Sequence, residues 1–383
     1  MSALHELGVD ARTLPTDPFR GWKYLSTPAR GRHGDVVIAR YLNDSPKLFK
    51  SLCRVAGDAL SLIVFRMRGM RVFWICHNVD GETETYWPLS TKVRRWLWGH
   101  SAEKIFVTDS SLMDIARASL KGVQEKLTPT SMGLLRVPGK RKREYDEAML
   151  AFLRRDTDSN SPRPRLNILC AGRTGPKYIH FDLLPRLERE LREGGWEPRF
   201  LAITNFQRDG VWSRGRRYDD FIQWCDNNPA VMLVREYIDF NENEWSEHID
   251  LIWRALSDHS MSFTLFNACD AKIPLLSYQS GHLGQLIQRE GIGAMINRDF
   301  TNVGPAVDRA LAVNPGQFQA FMAKRSWSDG ARLLLNAVTS KRLALVDDDA
   351  EQDSCLTMPG ENGFQTWTAR PECQAPHRSQ KKP

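Results

Sequence analysis

Residues 167–177 read Asn-Ile-Leu-Cys-Ala-Gly-Arg-Thr-Gly-Pro-Lys, which predicts a buried strand, a glycine turn and the start of a helix. Free backbone N–H groups at a helix N-terminus bind anions, and Gly172 and Gly175 let phosphate oxygens approach the backbone. Arg173 and Lys177 add positive charge at this turn. The stretch therefore predicts a phosphate site, and an ordinary strand-to-helix turn with surface cations is the alternative. It fits neither the Walker P-loop nor the dinucleotide Gly-x-Gly-x-x-Gly pattern.

Candidate strands and helices alternate on both sides of this stretch, which is typical of α/β folds with parallel sheets. The alternation begins with a strand at 36–39 and restarts at 167, after a polar, proline-bearing stretch with the composition of a linker. We therefore expect two α/β units of comparable size. In chain order, the predicted parts are an α/β domain over 1–153, a linker over 154–165, a second α/β domain over 166–325, a closing helix over 326–342 and a disordered tail over 343–383.

Composition and charge exclude several classes of protein. Hydrophobic residues make up 42% and charged residues 26%, near the globular average, so the chain is not disordered throughout. No apolar run approaches the ~20 residues of a membrane-spanning helix, and no apolar segment follows Met1, so we expect no secretory signal. The seven cysteines are scattered without a Cys-x-x-Cys pair, which favours a reducing cytosol over a zinc site or a disulfide framework.

A basic, tryptophan-bearing stretch lies within residues 92–98, where a helix is predicted. The chain has a formal net charge of +7, and several of its basic residues occur in clusters. This cluster combines cations with indole rings, which suit the headgroup region of an anionic membrane. The alternative is a helix of the domain core whose cations are merely solvated, because apolar residues also recur here at core-helix spacing. We therefore predict an acceptor or membrane surface formed by Lys92, Arg94, Arg95, Trp96 and Trp98.

Two further groups of polar residues lie where α/β proteins bind ligands. His77 and Asp80 follow the predicted strand 71–76, and the carboxyl ends of such strands line ligand sites. Imidazole and carboxylate groups can hydrogen-bond a sugar or move a proton, although a lone His is more often structural. Ser262 and Thr264 begin a predicted helix, where they can donate hydroxyl groups to a ligand or only cap the helix.

In their order along the chain, these motifs resemble those of GT-B glycosyltransferases that act in polysaccharide and glycolipid assembly. The resemblance spans about residues 35–340 and implies two Rossmann-like α/β domains that face each other across a cleft. It is carried by the strand ending in His77-Asn78, the strand and Ser-rich helix start at 105–111, Gly172-Arg173 with Lys177, the strand Asp250-Leu251-Ile252, the helix and Pro-containing strand at 262–276, and the helix start Ser326-Trp327-Ser328.

The resemblance implies transfer of a sugar from a nucleotide-sugar donor to a glycan or lipid-linked acceptor, as in exopolysaccharide biosynthesis, by a cytoplasmic enzyme that can associate with the inner face of the membrane. It implies no metal and no cofactor besides the donor substrate, and the sequence has no metal-ligand spacing. The N-terminal domain would hold the acceptor, with His77 or Asp80 acting on its hydroxyl and Glu82 and Glu84 as substitutes. The C-terminal domain would bind the donor through Gly172, Arg173, Lys177, Ser262, Thr264 and Asn267.

The sequence departs from this family's pattern in three places. Many relatives carry two glutamates eight residues apart, and the equivalent positions here are His259 and Asn267. The turn at Val137-Pro138-Gly139 lacks the His of a Pro-His-Gly-like turn. The family's first strand and glycine loop have no counterpart before residue 12, so we expect an N-terminal domain that lacks its first strand.

Three other functions remain open from the sequence. A nucleotide-sugar epimerase shares this fold but acts on the donor alone, so it needs no acceptor surface. A catalytically inactive, truncated GT-B protein would bind nucleotide sugars without turnover, in keeping with the missing glutamates and first strand. Nucleic-acid binding is third, because it needs aromatic rings stacked on a basic face, and Trp96 and Trp98 are the obvious candidates.

Overall fold

The computed structural model describes residues 10–13, 34–82, 85–134, 143–154, 163–172, 178–204, 216–235, 244–343, 357–359 and 364–368, which form two β-sheets flanked by helices. The strands are β1 Asp10–Thr13, β2 Val36–Ala39, β3 Arg71–Cys76, β4 Lys104–Val107, β5 Leu127–Pro129, β6 Arg165–Ala171, β7 Glu197–Ile203, β8 Val231–Val234, β9 Leu251–Trp253, β10 Leu275–Tyr278, β11 Gly293–Ile296, β12 Thr357–Pro359 and β13 Phe364–Thr368. The α-helices are α1 Leu48–Met67, α2 Pro88–Ser101, α3 Met113–Ser119, α4 Arg143–Leu153, α5 Leu184–Glu193, α6 Arg216–Asp226, α7 Phe263–Asp270, α8 Leu283–Glu290, α9 Val303–Leu311, α10 Pro315–Ala323 and α11 Trp327–Leu343.

The first sheet has the strand order β1-β13-β12-β2-β3-β4-β5, and β2 to β5 run parallel. β2, β3 and β4 are nearly continuous apolar runs, as expected of parallel strands that are covered on both faces. On one face Trp74 packs with Leu62 and Phe65 of α1 and with Trp98 of α2. Helices α1 and α2 therefore lie on the same side of this sheet.

The opposite face of the first sheet is covered by α11, which comes from the far end of the chain. Leu334 and Val338 of this helix pack with Phe73 and Phe106 of the sheet. Arg71 Nη1 donates a hydrogen bond to the Val338 carbonyl at 2.6 Å. After forming the second sheet, the chain therefore returns to complete the core of the first.

The second sheet has the strand order β11-β10-β9-β6-β7-β8 and is parallel throughout. Helices α7, α8 and α10 pack on one face, where Phe266 and Phe321 meet Leu169 of β6. Helices α5, α6 and α9 pack on the other face, where Leu187 meets Cys170 of the same strand. Neighbouring side chains of β6 thus pack into the cores on opposite faces of the sheet. The unit is therefore a parallel sheet covered by helices on both faces, a doubly wound α/β architecture.

The expectation of a disordered tail over 343–383 is wrong for two short segments. β12 and β13 fall in this range, pair with each other and add to the first sheet beside β2. Their sequences contain Thr357, Phe364, Thr366 and Trp367, which are residue types that favour strands. The expectation rested on the scarcity of recurring aliphatic residues, and that criterion overlooks aromatic and β-branched side chains. Most of the predicted linker, 155–162, lies outside the described residues.

Candidate functional site

Loops at the carboxyl ends of the two sheets contact each other, and this junction is the candidate site. β3 leads into residues 77–82, and β9 leads into residues 254–262. Asn78 and Ser260 pair across the junction as an isolated antiparallel bridge. Because ligands of parallel α/β sheets bind beyond the carboxyl ends of the strands, the two loops meet where a substrate is expected.

Asp80 and His259 join the two loops through their side chains. His259 Nδ1 lies 2.8 Å from Asp80 Oδ2, and the two side chains are 35% and 33% exposed, respectively. When Nδ1–H donates to the carboxylate, Nε2 becomes the ring nitrogen that can accept a proton. An imidazole oriented by a carboxylate is a pairing that can activate a hydroxyl group. The sequence identified Asp80 as a candidate catalytic residue, but it identified His259 only as a departure from a glutamate.

His77 precedes Asp80 by three residues but lies in a more enclosed setting. Its side chain is buried and its ring stacks on Tyr41, with ring centroids 4.5 Å apart. Arg40 Nε lies 3.3 Å from His77 Nε2. These contacts fit the alternative of a structural histidine better than they fit the predicted catalytic role.

A buried ion pair holds the 77–82 loop against α2. Arg95 Nη1 lies 2.8 Å from Glu82 Oε1, and its guanidinium also donates to the carbonyls of Asn78 and Val79. Burial raises the pKa of Glu82, and the charge of Arg95 opposes that rise. The ion pair of Glu82 therefore stabilises the loop, which favours a structural role over that of a substitute base. Glu84 lies outside the described residues.

The predicted acceptor or membrane surface on α2 is wrong for three of its five residues. Arg94 forms a buried ion pair at 2.6 Å with an aspartate of α1, Arg95 holds the loop described above, and Trp98 is fully buried in the core. Lys92 and Trp96 are exposed, and their role in an acceptor or membrane surface stays a prediction. The acidic partners of the two arginines come from other elements, and the periodicity of α2 alone does not reveal them.

The glycine turn after β6 lies at the carboxyl edge of the second sheet. Gly172 has a φ of 146°, and a Cβ at this position would collide with the guanidinium of Arg254. Arg254 Nη1 donates to the carbonyl before this glycine at 2.8 Å and lies 3.1 Å from His180 Nε2. Burial, and then the charge of Arg254, lower the pKa of His180 well below its ordinary value, so this imidazole is neutral. Arg173 and Lys177 lie outside the described residues.

Arg254 was not singled out from the sequence, although a signal for it exists. It directly follows β9, so it is an arginine at the carboxyl end of an apolar strand, and it is 6% exposed. Buried arginines are rare unless they are paired or hydrogen-bonded. The positive φ of Gly172 explains why the turn requires glycine, which the sequence had attributed to phosphate approach.

The start of α7 contains the other three predicted donor-binding residues. Ser262 Oγ accepts a hydrogen bond from the Thr264 N–H at 3.3 Å, so this serine caps the helix, which was the alternative to ligand binding. Thr264 and Asn267 are half-buried one turn apart. Asn267 Oδ1 is inaccessible to solvent and has no hydrogen-bond partner among the described residues. An unpaired buried amide oxygen is costly, so Asn267 remains a candidate acceptor of a ligand hydrogen bond.

A hydroxyl–imidazole contact joins the two units beside this junction. Ser111, in the predicted Ser-rich helix start, places Oγ 2.7 Å from His282 Nε2. Burial, and then the charge of Arg289, lower the pKa of His282 to about 4. The imidazole ring is therefore neutral near pH 7, and it forms a hydrogen bond with the serine hydroxyl in which neither group is charged.

A buried charge cluster makes a third connection between the units. Arg325 Nε lies 2.6 Å from Asp109 Oδ2, and Arg325 Nη2 lies 3.0 Å from Glu290 Oε1. Burial alone would raise the pKa of Asp109, but hydrogen bonds from Arg325 and Ser111 hold it below its ordinary value. The charges are thus paired within the cluster, which favours a structural role for it.

Three features of the described residues bear on cofactors and partners. No group of three or more His, Cys, Asp or Glu side chains in that part of the chain is placed to hold a metal ion. No helix there has both the length and the apolar character needed to cross a bilayer. Its cysteines, at positions 53, 76, 170, 225 and 269, are free thiols.

No protein-family model and no curated protein matches the chain. Among solved structures, it is similar to HepE from Anabaena in complex with UDP-glucose (TM-score 0.53, 11% identity, 76% of each chain covered). It is also similar to sucrose-phosphate synthase from Thermosynechococcus elongatus (TM-score 0.54, 12% identity, 81% of this chain and 74% of that one). A third similar structure is that of the UDP-forming α,α-trehalose-phosphate synthase from Burkholderia xenovorans in complex with glucose-6-phosphate (TM-score 0.54, 9% identity, 84% of this chain and 76% of that one covered). With its two facing α/β units, the chain therefore has the GT-B fold that its motifs resemble.

Proposed function

We propose that the protein is a glycosyltransferase that moves a sugar from a nucleotide-sugar donor to a hydroxyl group of an acceptor at the junction of the two sheets. The observation that carries this proposal is the partly exposed Asp80–His259 pair, which contains a base and its orienting carboxylate. The fold supports it, because one similar structure contains UDP-glucose and another similar protein is a UDP-forming synthase. Fold alone does not fix chemistry, so the proposal depends on the junction.

On the donor side, the glycine turn and the start of α7 supply the binding groups. Gly172 leaves room for the turn that precedes Arg173 and Lys177, and these two cations stabilise the negative charge that develops on the departing diphosphate. The unpaired Oδ1 of Asn267 accepts a hydrogen bond from a hydroxyl of the donor. This assignment gives the buried amide oxygen the partner that it lacks among the described residues.

On the acceptor side, His259 acts as the general base and Asp80 orients it. His259 Nε2 takes the proton of the acceptor hydroxyl as that oxygen bonds to the anomeric carbon of the donor sugar. The bond from the anomeric carbon to the diphosphate breaks, and the nucleoside diphosphate leaves with the bonding electrons. No metal ion is needed in this scheme, because the cations of the glycine turn supply the positive charge.

The acceptor that we propose is a glycan or a lipid-linked saccharide of a polysaccharide pathway. This finer proposal comes from the order of the sequence motifs, which resembles that of enzymes of polysaccharide and glycolipid assembly. An acceptor anchored in a bilayer also gives a reason for the exposed Lys92 and Trp96. Transfer to extracted lipid-linked saccharides, but not to free monosaccharides, is the expected result.

Calorimetry with UDP, ADP and GDP, followed by turnover of the matching nucleotide sugars in the presence of EDTA, tests the proposal. One nucleotide should bind, and its sugar should be transferred or slowly hydrolysed. Arg173→Ala should weaken nucleotide binding by about 1.5–3 kcal/mol, the value of a charge-assisted hydrogen bond, with little change in melting temperature. Arg309→Ala, which removes an exposed arginine of α9, is the matched control. Unchanged nucleotide affinity in Arg173→Ala would contradict the donor assignment.

A catalytically inactive binding protein is the second candidate, and the residue at position 259 favours it. Many relatives in the resembled family carry a glutamate there, whereas His259 contacts Asp80 in this chain. Such a protein would bind the nucleotide sugar without releasing nucleotide, even with an acceptor present. An epimerase of the same fold would convert the donor sugar with no acceptor at all, so the turnover assay distinguishes all three functions.

A further inference from the structure

Arg254 contacts both ends of the glycine turn, residues 172–177. Its Nη1 donates a hydrogen bond at 2.8 Å to the carbonyl of Ala171, which directly precedes the turn. The same nitrogen lies 3.1 Å from His180 Nε2, and the guanidinium carbon lies 5.1 Å from the centre of the Tyr178 ring. Both of these aromatic residues follow the turn in the sequence. A single side chain therefore connects the points where the chain enters and leaves the turn.

The segment that carries Arg254 also holds His180 in place. The Ala255 carbonyl lies 3.3 Å from His180 Nδ1. Trp253 Nε1 donates a hydrogen bond at 2.8 Å to the carbonyl of His180. Because both the ring and the backbone of this histidine are bound to residues 253–255, its Nε2 is kept facing the guanidinium.

His180 suits this contact because it is a neutral hydrogen-bond acceptor. The ring is fully buried, and its pKa lies well below the ordinary value for the reasons given above. With Nδ1–H donating to the Ala255 carbonyl, Nε2 has the lone pair that accepts an N–H of Arg254. A cationic imidazole would repel the guanidinium, so the neutral ring is what lets the arginine reach across the turn.

The guanidinium group has the geometry that this connection needs. Its N–H bonds point in fixed directions within one plane, whereas those of a lysine ammonium rotate about the end of a flexible chain. Both N–H bonds of Arg254 Nη1 are directed at acceptors of the protein, one on each side of the turn. The side chain is 6% exposed, so it is held by its surroundings as well as by these contacts.

We infer that Arg254 is a positioning residue of the donor site, which sets how far apart the two ends of the glycine turn lie. The inference rests on the proposed function, in which Arg173 and Lys177 of this turn bind the donor diphosphate. Only residues 173–177 separate Gly172 from the segment after the turn, so the separation of the ends limits where the two cations can lie. A displacement of about 1 Å in a binding group can cost about 10²-fold in rate. Arg254 thus acts on the diphosphate through the turn, without touching it.

Calorimetry of the full-length protein with UDP, ADP and GDP, and with uridine, adenosine and guanosine, tests the inference. Arg254→Gln should weaken binding of the diphosphate that the wild type binds by roughly 10- to 100-fold, the size of losing one charge-assisted contact. Binding of the matching nucleoside, which has no phosphate, should not change. In a variant that already lacks both cations, Arg173→Ala with Lys177→Ala, the same substitution should cause no further loss, because the effects of residues that act through one another do not add.

Two further variants separate positioning from a general loss of structure. Arg254→Ala leaves a space for a free guanidinium ion, so millimolar guanidinium chloride should restore part of the diphosphate affinity, and sodium chloride at the same ionic strength should not. Arg199→Gln is the matched control, because Arg199 is a partly buried arginine of β7 that donates to the carbonyl of Phe152, away from the turn. It should bind the diphosphate like the wild type even if its melting temperature falls.

The possible failures of the inference and of the proposed function can be told apart. A wild type that binds none of the three diphosphates contradicts the proposed function, and the inference falls with it. A wild type that binds one of them, with equal affinity in Arg254→Gln, overturns the inference alone. A further loss in the variant without the two cations would mean that Arg254 contacts the phosphate directly, which also overturns a positioning role. If Arg254→Gln does not fold, Arg254→Lys keeps the charge without the fixed N–H directions, and wild-type diphosphate affinity in that variant decides against the inference.

Discussion

Two contacts between the units use acidic and basic side chains in opposite ways. Asp80 and His259 form a single pair that is about one-third exposed, at the ends of β3 and β9. Arg325, Asp109 and Glu290 form a cluster in which each side chain is at most 10% exposed. A buried cluster whose charges are paired is typical of a contact that holds the units together. A partly exposed pair can instead be reached by a substrate from solution. The difference separates the structural part of the junction from its chemical part.

The largest expected effect comes from breaking the buried cluster. Arg325→Ala leaves the buried carboxylate of Asp109 without its cation and leaves Glu290 paired with the exposed Lys324. Breaking one buried ion pair typically destabilises a protein by about 3–5 kcal/mol. Urea unfolding should show a decrease of this size. Arg289→Ala is the control, since Arg289 is 57% exposed and lies 3.9 Å from Glu290, and it should change the unfolding free energy by less than ~1 kcal/mol. Equal effects of the two variants would mean that the cluster does not hold the units together.

The next effect concerns turnover, and it tests the exposed pair. His259→Ala removes the proposed base, and loss of general base catalysis typically lowers turnover by about 10²–10⁴-fold. Asp80→Asn keeps the shape but weakens the orientation of the imidazole, so turnover should fall less, with nucleotide affinity unchanged. Steady-state kinetics and calorimetry on the same samples measure both quantities. A His259→Ala variant with wild-type turnover would remove the pair from the chemistry.

The pH dependence of stability sharpens the comparison, because His282 connects the units as a neutral base. Its pKa is about 4 in the folded protein and near the ordinary 6.5 when unfolded. Between these values the unfolded chain binds the extra proton, so stability falls as the pH is lowered from about 6.5 to about 4. The expected loss is about 1–3 kcal/mol. In urea unfolding at several pH values, His282→Gln should remove this part of the slope, and an unchanged slope would count against the neutral contact with Ser111.

The smallest expected effect is that of the exposed pair on stability. Asp80→Asn should change the free energy of unfolding by less than ~1 kcal/mol, because a solvent-exposed hydrogen-bonded pair contributes little to stability. Thermal unfolding at low and high salt checks this value. A loss as large as that of Arg325→Ala would erase the distinction between the two contacts.

The strands, and the residues that follow them, could be predicted from local patterns. The apolar run Arg71–Cys76 and the predicted strand Asp250-Leu251-Ile252 placed both loops of the junction at strand ends. The partners across the junction could not be predicted. His259 lies 179 residues from Asp80, and His282 lies 171 residues from Ser111, so each contact depends on how two separately formed sheets face each other.

The same limit explains the error on α2. Helical spacing placed cations and tryptophans on one short segment, and it could not show that Arg94 has a buried carboxylate partner 36 residues earlier in the chain. Arg95 is likewise held by an acid in the preceding loop.

The position of α11 has a consequence for how the protein is made. The face of the first sheet that includes Phe73 and Phe106 is covered by a helix that begins at Trp327, and the Arg71–Val338 hydrogen bond spans 267 residues. At a synthesis rate of about 5–20 residues per second, roughly 15–50 s separate the emergence of the two partners from the ribosome. During that interval the nascent chain has an unshielded apolar surface on this face of the first sheet. The first half to be synthesised is therefore the last to be finished, and one apolar face of its sheet stays uncovered until α11 has been made.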